Sequence, residues 1–189
     1  MDPQAMAQIR RSCTRFLSGH ARPRPHQMLA DLAAFVDPDL DSDTYGQGAI
    51  IADFEQEVAQ ILGKEAAVFM PSGTMCQQIA LRIWAEQTGR DHVAFHPLCH
   101  MEIHEQFGYR ELHHLRAVLV GDRNRLLTLA DVQAVAEPLG ALLLELPQRE
   151  IGGQLPAWDD LVATTDWARE HGTALHMDGA RLWQCNSFY

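Results

Sequence analysis

The chain has 189 residues, 47% of them hydrophobic, which suits one compact domain with a real core. Twenty-five acidic residues against 15 Lys and Arg give a net charge of −10 with no basic cluster, so neither a nucleic-acid surface nor an anionic membrane is expected as the main partner. Cys13, Cys76, Cys99 and Cys185 are scattered, the N-terminus has no signal-peptide core, and apolar runs such as Ala141-Leu142-Leu143-Leu144 are far too short to cross a bilayer. The expectation is a soluble cytoplasmic protein with reduced thiols.

Residues 1–48, rich in Pro, Arg, His and Asp, are predicted to be irregular, with Pro23 and Pro25 opposing helix. A short helix around Met28 to Phe35 stays open. Ile51, Phe54, Val58, Ile61 and Leu62 recur at helical spacing, with Gly63 as the stop. Ala66 to Met70 reads as a buried strand ended by Pro71. Ser72-Gly73-Thr74 then opens a helix carrying Met75, Ile79, Ile83 and Trp84 to about Thr88.

His92 to Phe95 is a short strand, and a helix is predicted from about His100 to Phe107. Ala117 to Val120 is the next strand. Thr128 caps a helix through Ala136, with Asp131 as a weaker capping-box acid. Gly140 to Leu146 reads as a central strand. Trp158, Leu161, Val162 and Ala168 mark a helix whose first turn holds Asp159 and Asp160. Ala174 to Met177 is the last strand. The alternation predicts an α/β fold, a mostly parallel sheet with helices on both faces.

In such sheets ligands bind beyond the carboxyl ends of the strands. Three segments fall there: Ser72-Gly73-Thr74, Cys99-His100 and Asp178-Gly179-Ala180-Arg181. An Asp leaving a buried strand can face a heterocyclic nitrogen, and an Arg three residues on can hold a carboxylate. That pair points to pyridoxal phosphate chemistry. Singly, Asp178 serves equally well as a turn cap, and Arg181 as a surface residue. Ser72-Gly73-Thr74 is an ordinary N-cap whose free N–H groups also suit a phosphate. His100 can lie over a pyridine ring. A metal set of Cys99, His100 and His104 is the rival, but no fixed carboxylate or second cysteine completes it, so no metal is expected. Lys64 is the only lysine. It lies far upstream in a different context, so the chain reads as the front portion of an enzyme whose Schiff-base lysine comes later.

Tyr45-Gly46, Gly63-Lys64-Glu65-Ala66-Ala67, Pro71-Ser72-Gly73-Thr74-Met75, Cys99-His100, Glu145 with Gly152-Gly153, and His176-Met177-Asp178-Gly179-Ala180-Arg181 follow one another in the chain. In that order they resemble the low-specificity threonine aldolase and aromatic amino acid β-eliminating lyase family. These are pyridoxal 5'-phosphate enzymes of the type I, aspartate-aminotransferase-like fold. The resemblance implies that Gly73 and Thr74 hold the cofactor phosphate with support from Ser72. It implies that His100 stacks on the ring, Asp178 meets the pyridine nitrogen and Arg181 contacts the substrate carboxylate. Those last three are the expected catalytic residues. Ser18 matches more weakly a family serine near that carboxylate, with Gly19 where the family usually has Asp.

The implied organisation is an irregular segment over 1–48 and an incomplete cofactor-binding large domain over 49–189, truncated before its last strands and the C-terminal small domain. The implied activity is retro-aldol cleavage of a threonine-like β-hydroxy-α-amino acid to glycine and an aldehyde, in a homodimeric or homotetrameric parent. β-Elimination is the alternative. A fragment without the Schiff-base lysine is expected to be inactive. Two departures bear on the substrate. Glu137-Pro138-Leu139-Gly140 leaves no room for a loop that often carries a pocket histidine, and Glu145-Leu146-Pro147-Gln148 lacks the family's usual His.

Overall fold

A computed structural model describes residues 2–15 and 23–189, so Ser18 lies outside the described residues. Contacts divide the chain into two compact units, Met1–Val68 and Phe69–Tyr189. The first holds helices α1 (Pro3–Ser12), α2 (Pro25–Phe35) and α3 (Ala49–Ile61). The second holds α4 (Gly73–Thr88), β1 (His92–Phe95), α5 (His100–Ile103), α6 (Gly108–Glu111), β2 (Arg116–Leu119), α7 (Leu129–Gln133), β3 (Leu139–Glu145), α8 (Trp158–Glu170) and β4 (Ala174–Asp178).

All four strands are parallel, in the order β2-β1-β3-β4. Their side chains alternate between two cores. Val93, Phe95, Ala141 and Leu143 face Leu81 of α4, Met101 of α5 and Tyr109 of α6. Ala94, Leu139 and Leu142 face Val132 of α7 and Ala168 of α8. Helices therefore cover both faces, as the βα alternation requires. Phe95 meets Tyr109 edge-on with ring centroids 5.5 Å apart. Burying a Leu or Phe of this kind contributes roughly 1.5–3 kcal/mol.

The order reverses between β1 and β3: the chain steps outward to β2, then returns past β1. That reversal opens a crevice at the carboxyl ends of β1 and β3. At the opposite ends, the Arg90 guanidinium donates to the carbonyls of Leu139, His171 and Gly172 at 3.1–3.3 Å. The ladder between β1 and β3 slips by one residue there, pairing His92 with Leu139 but Val93 with Ala141. Gly140 occupies the slip because a Cβ would stand 2.2 Å from the Arg90 carbonyl oxygen.

Three expectations need correction. Ala66 to Met70 forms no strand, and Val68 and Phe69 are 70% and 51% exposed. An apolar run becomes a strand only when its backbone finds a ladder, and none of the four described strands pairs with it. The helix predicted from His100 to Phe107 ends at Ile103 as α5, and Gln106 and Phe107, with φ of 53° and 58°, separate it from α6. Residues 1–48 are not irregular throughout. Asp2 caps α1 through Gln4 and Ala5 N–H, and Pro25 starts α2 rather than preventing it. Proline suits a first helical turn, where its missing N–H costs nothing.

Candidate active site

A cleft of about 300 Å³ opens at the crevice, lined by Gly73, Thr74, Gln77, His100, Glu145, Pro147, Arg149, Glu150, Asp178, Ala180 and Arg181. Every one of these belongs to the second unit. Five of the six described residues singled out from sequence line it: Gly73, Thr74, His100, Asp178 and Arg181. The sixth, Ser72, caps α4, its hydroxyl accepting Met75 N–H at 3.4 Å. The first backbone bond of α4 runs from Cys76 N–H to Ser72 O. The N–H groups of Gly73 and Thr74 thus precede the helical ladder and point along its positive end. A Cβ on Gly73 would meet nothing within 4 Å, so the approach to those groups is open.

Asp178 closes β4. Its Oδ1 accepts Ala180 N–H at 3.0 Å and its Oδ2 accepts the Gln77 side-chain amide at 3.0 Å. An ionised carboxylate has about four acceptor positions, so Asp178 keeps capacity for a further N–H donor. The Oε1 of Gln77 is buried without a hydrogen-bond partner among the described residues. Arg181 forms no ion pair among the described residues. Across the cleft, Glu150 accepts from His104 Nε2 at 3.0 Å and lies 3.3 Å from Arg149. The His104 hydrogen bond, then the charges of Arg149 and Arg181, hold the Glu150 carboxyl below its ordinary range.

His100 opens α5 directly after β1. Its backbone N–H donates to Glu145 Oε1, and its ring Nδ1 lies 2.8 Å from Glu105 Oε1. Glu145 also accepts from Gln148 Nε2 at 2.7 Å, which in turn reaches Leu98 O. This clasp ties the end of β3 to the turn that carries His100. Burial pushes the Glu145 carboxyl up against the lowering effect of the His100 N–H, and the charge of Asp178 adds to the rise. Cys99 is fully buried, and burial followed by the charge of Glu145 pushes its thiol far up. It is therefore a packed, protonated thiol rather than a nucleophile.

Gln77, Glu105, Glu150 and Arg149 were not identified from sequence as functional, and Glu145 was noted only as a mark of resemblance. Gln77 left a signal: it lies three residues after Thr74, on the same helical face.

The profile of the family described as beta-eliminating lyase matches residues 23–187. This chain belongs to the beta-eliminating lyase family. Among relatives, it is 33% identical over 165 residues to the aldolase vrtJ of Penicillium aethiopicum, covering 84% of this chain and 41% of that one. It is 31% identical over 164 residues to a low-specificity L-threonine aldolase 2, so described as probable, of Arabidopsis thaliana, covering 82% and 46%. The crystal structure of a Listeria monocytogenes EGD-E protein, proposed to be an L-allo-threonine aldolase, superposes with a TM-score of 0.88 at 48% identity. That match covers 95% of this chain and 50% of the other. This member of the family thus spans about half the length of the relatives it matches. Its parallel sheet is that of the threonine aldolase structures.

Proposed function

We propose that this chain is the cofactor-binding portion of a pyridoxal 5'-phosphate-dependent lyase of amino acid metabolism. Its reaction is retro-aldol cleavage of a threonine-like β-hydroxy-α-amino acid to glycine and an aldehyde. The observation that carries the reading is one cleft holding a helix N-terminus, an imidazole, a carboxylate with spare acceptor capacity and an arginine without an ion pair among the described residues. The donor set fits the cofactor, with anion-binding N–H groups at one end and an acceptor for a ring N–H at the other. The aldolase names of the relatives support cleavage of a carbon–carbon bond over β-elimination.

When bound, the cofactor supplies an electron-withdrawing pyridinium ring. Gly73 and Thr74 N–H groups hold its phosphate, aided by the α4 dipole at roughly 0.3–1 kcal/mol per contact. Asp178 keeps a proton on the ring nitrogen, and Gln77 and Ala180 hold that carboxylate in place. His100 covers one side of the ring. Arg181 grips the substrate carboxylate by its planar fork and so decides which bond at Cα is presented for cleavage. Ser18 belongs to the proposal only as a weak match near that carboxylate. A cytoplasmic location and a homo-oligomeric parent complete it. Among the described residues, no helix is long and apolar enough to cross a membrane.

No lysine lines the cleft, and Lys64, the single lysine, belongs to the first unit. These residues bind and orient but offer no amine for covalent attachment, so the isolated polypeptide is expected to be inactive. Titrating the purified chain with pyridoxal phosphate, then adding borohydride, tests both points. Saturable binding at one site without a covalent adduct in the cleft is expected. No saturable binding by a folded chain would overturn the reading.

A further inference from the structure

Glu105 sits immediately before the two left-handed residues Gln106 and Phe107, where the chain leaves α5. Strain of this kind persists only where surrounding contacts hold it. The Glu105 side chain is 1% exposed, yet it lies against His100, whose side chain is 35% exposed and lines the cleft. Glu105 Oε1 is 2.8 Å from His100 Nδ1, and Glu105 Oε2 accepts from Gln78 Nε2 at 2.9 Å. Gln78 is itself held in place: a Cβ on Gly108 would stand 2.6 Å from its amide nitrogen, so glycine leaves it room. Both carboxylate oxygens therefore face nitrogen groups, an arrangement an ionised carboxylate satisfies as an acceptor.

We infer that Glu105 is a positioning residue that keeps a hydrogen on Nδ1 of His100 and so confines the ring's proton exchange to Nε2. A carboxylate can only accept, so Nδ1 carries its hydrogen whether the imidazole is neutral or charged. Nε2, on the ring edge away from Glu105, is then the only atom of His100 able to accept or release a proton. A histidine free to change tautomer would present a lone pair to the cleft for only part of the time. The neighbouring His104 ring, 5.1 Å away centroid to centroid, is engaged by Glu150 and does not compete for Glu105. The use of Nε2 toward the substrate rests on the proposed lyase function; the tautomer itself does not.

The test is a two-bond nitrogen–proton NMR spectrum of the full chain labelled with ¹⁵N-histidine, with the His100 signals assigned by loss in a His100→Asn variant. The neutral His100 ring should carry its hydrogen on Nδ1 and show a bare Nε2. In Glu105→Gln the amide can donate as well as accept, and the ratio of Nδ1–H to Nε2–H should fall by about tenfold or more, the factor carried by one hydrogen bond to a charged group. Gln78→Leu, which keeps the carboxylate, guards against misfolding of the first variant. It should retain the Nδ1–H form with faster exchange of that hydrogen. A wild-type ring protonated on Nε2, or an unchanged ratio in a folded Glu105→Gln, would overturn the inference. Pyridoxal phosphate titration of the same samples separates the two ideas. An intact Nδ1–H form without cofactor binding sinks the lyase reading and leaves the dyad standing.

Discussion

Replacing Asp178 by Asn separates a structural carboxylate from one that holds a cofactor. Oδ1 already accepts Ala180 N–H, so the variant's amide oxygen keeps that place and its NH₂ falls where Oδ2 met Gln77. Gln77 can answer by turning its amide over, because its buried Oε1 has no hydrogen-bond partner at present. The local hydrogen-bond count is then conserved, and stability should change by about 1 kcal/mol or less, a melting shift of at most roughly 4 °C. A protonated ring nitrogen, by contrast, would meet a donor in place of a charged acceptor. Loss of a hydrogen bond to a charged group costs about 1.5–3 kcal/mol, which weakens pyridoxal phosphate binding by roughly 10- to 150-fold. Cofactor titration by absorbance, alongside a thermal melt by circular dichroism, gives both numbers. A dissociation constant within twofold of the parent would refute the role of Asp178. A large melting shift with the same loss of binding would make it a turn residue whose effect on the cofactor is indirect.

Three further outcomes are expected. Arg181→Met should weaken binding of a threonine-like amino acid to the chain saturated with pyridoxal phosphate by about tenfold or more while leaving pyridoxal phosphate affinity unchanged, measured by absorbance titration. Gly140→Ala should destabilise the second unit by about 1–3 kcal/mol in a denaturant melt, since the new methyl meets the Arg90 carbonyl, and that backbone lies under the sheet ladder. Asp131→Asn should cost about 1 kcal/mol at neutral pH by weakening the capping box with Thr128. The Arg125 guanidinium holds the Asp131 carboxyl well below its ordinary 3.8. Its stabilisation is therefore full above that value and fades as pH falls through the depressed one. The two proteins should converge in stability only in that acid range.

Much of the framework was legible because it depends on neighbours in sequence. The helical spacing from Ile51 to Leu62, the apolar runs of β1 and β3, and the Thr128–Asp131 cap are local patterns, and each formed close to where it was expected. So were Ser72-Gly73-Thr74 and Asp178 to Arg181, which lie at the carboxyl side of the sheet because parallel topology admits no other place for them. The helix left open around Met28 to Phe35 formed as α2, but α1 and the start of α2 were missed although their signals were present: Asp2 before Pro3, and Pro25 at a first turn. Proline was weighed there as a breaker rather than as a starter.

What stayed hidden depends on partners distant in the chain. Gln77 meets Asp178 across 101 positions, His100 meets Glu145 across 45, and Glu105 meets Gln78 across 27. No periodicity encodes such pairs, since it reports only which face a residue occupies. The apolar run Ala66 to Met70 fails as a strand for the same reason: hydrophobicity suits a residue to a sheet, but only a neighbouring backbone makes it part of one. The amino-acid order alone marked most of the helices and strands of the second unit and the segments that gather at the carboxyl end of its sheet. Tertiary packing decided which carboxylates are buried, which amides steady them and which nitrogen of His100 lies against Glu105. Burial and long-range hydrogen bonding arise only when the layers close on one another.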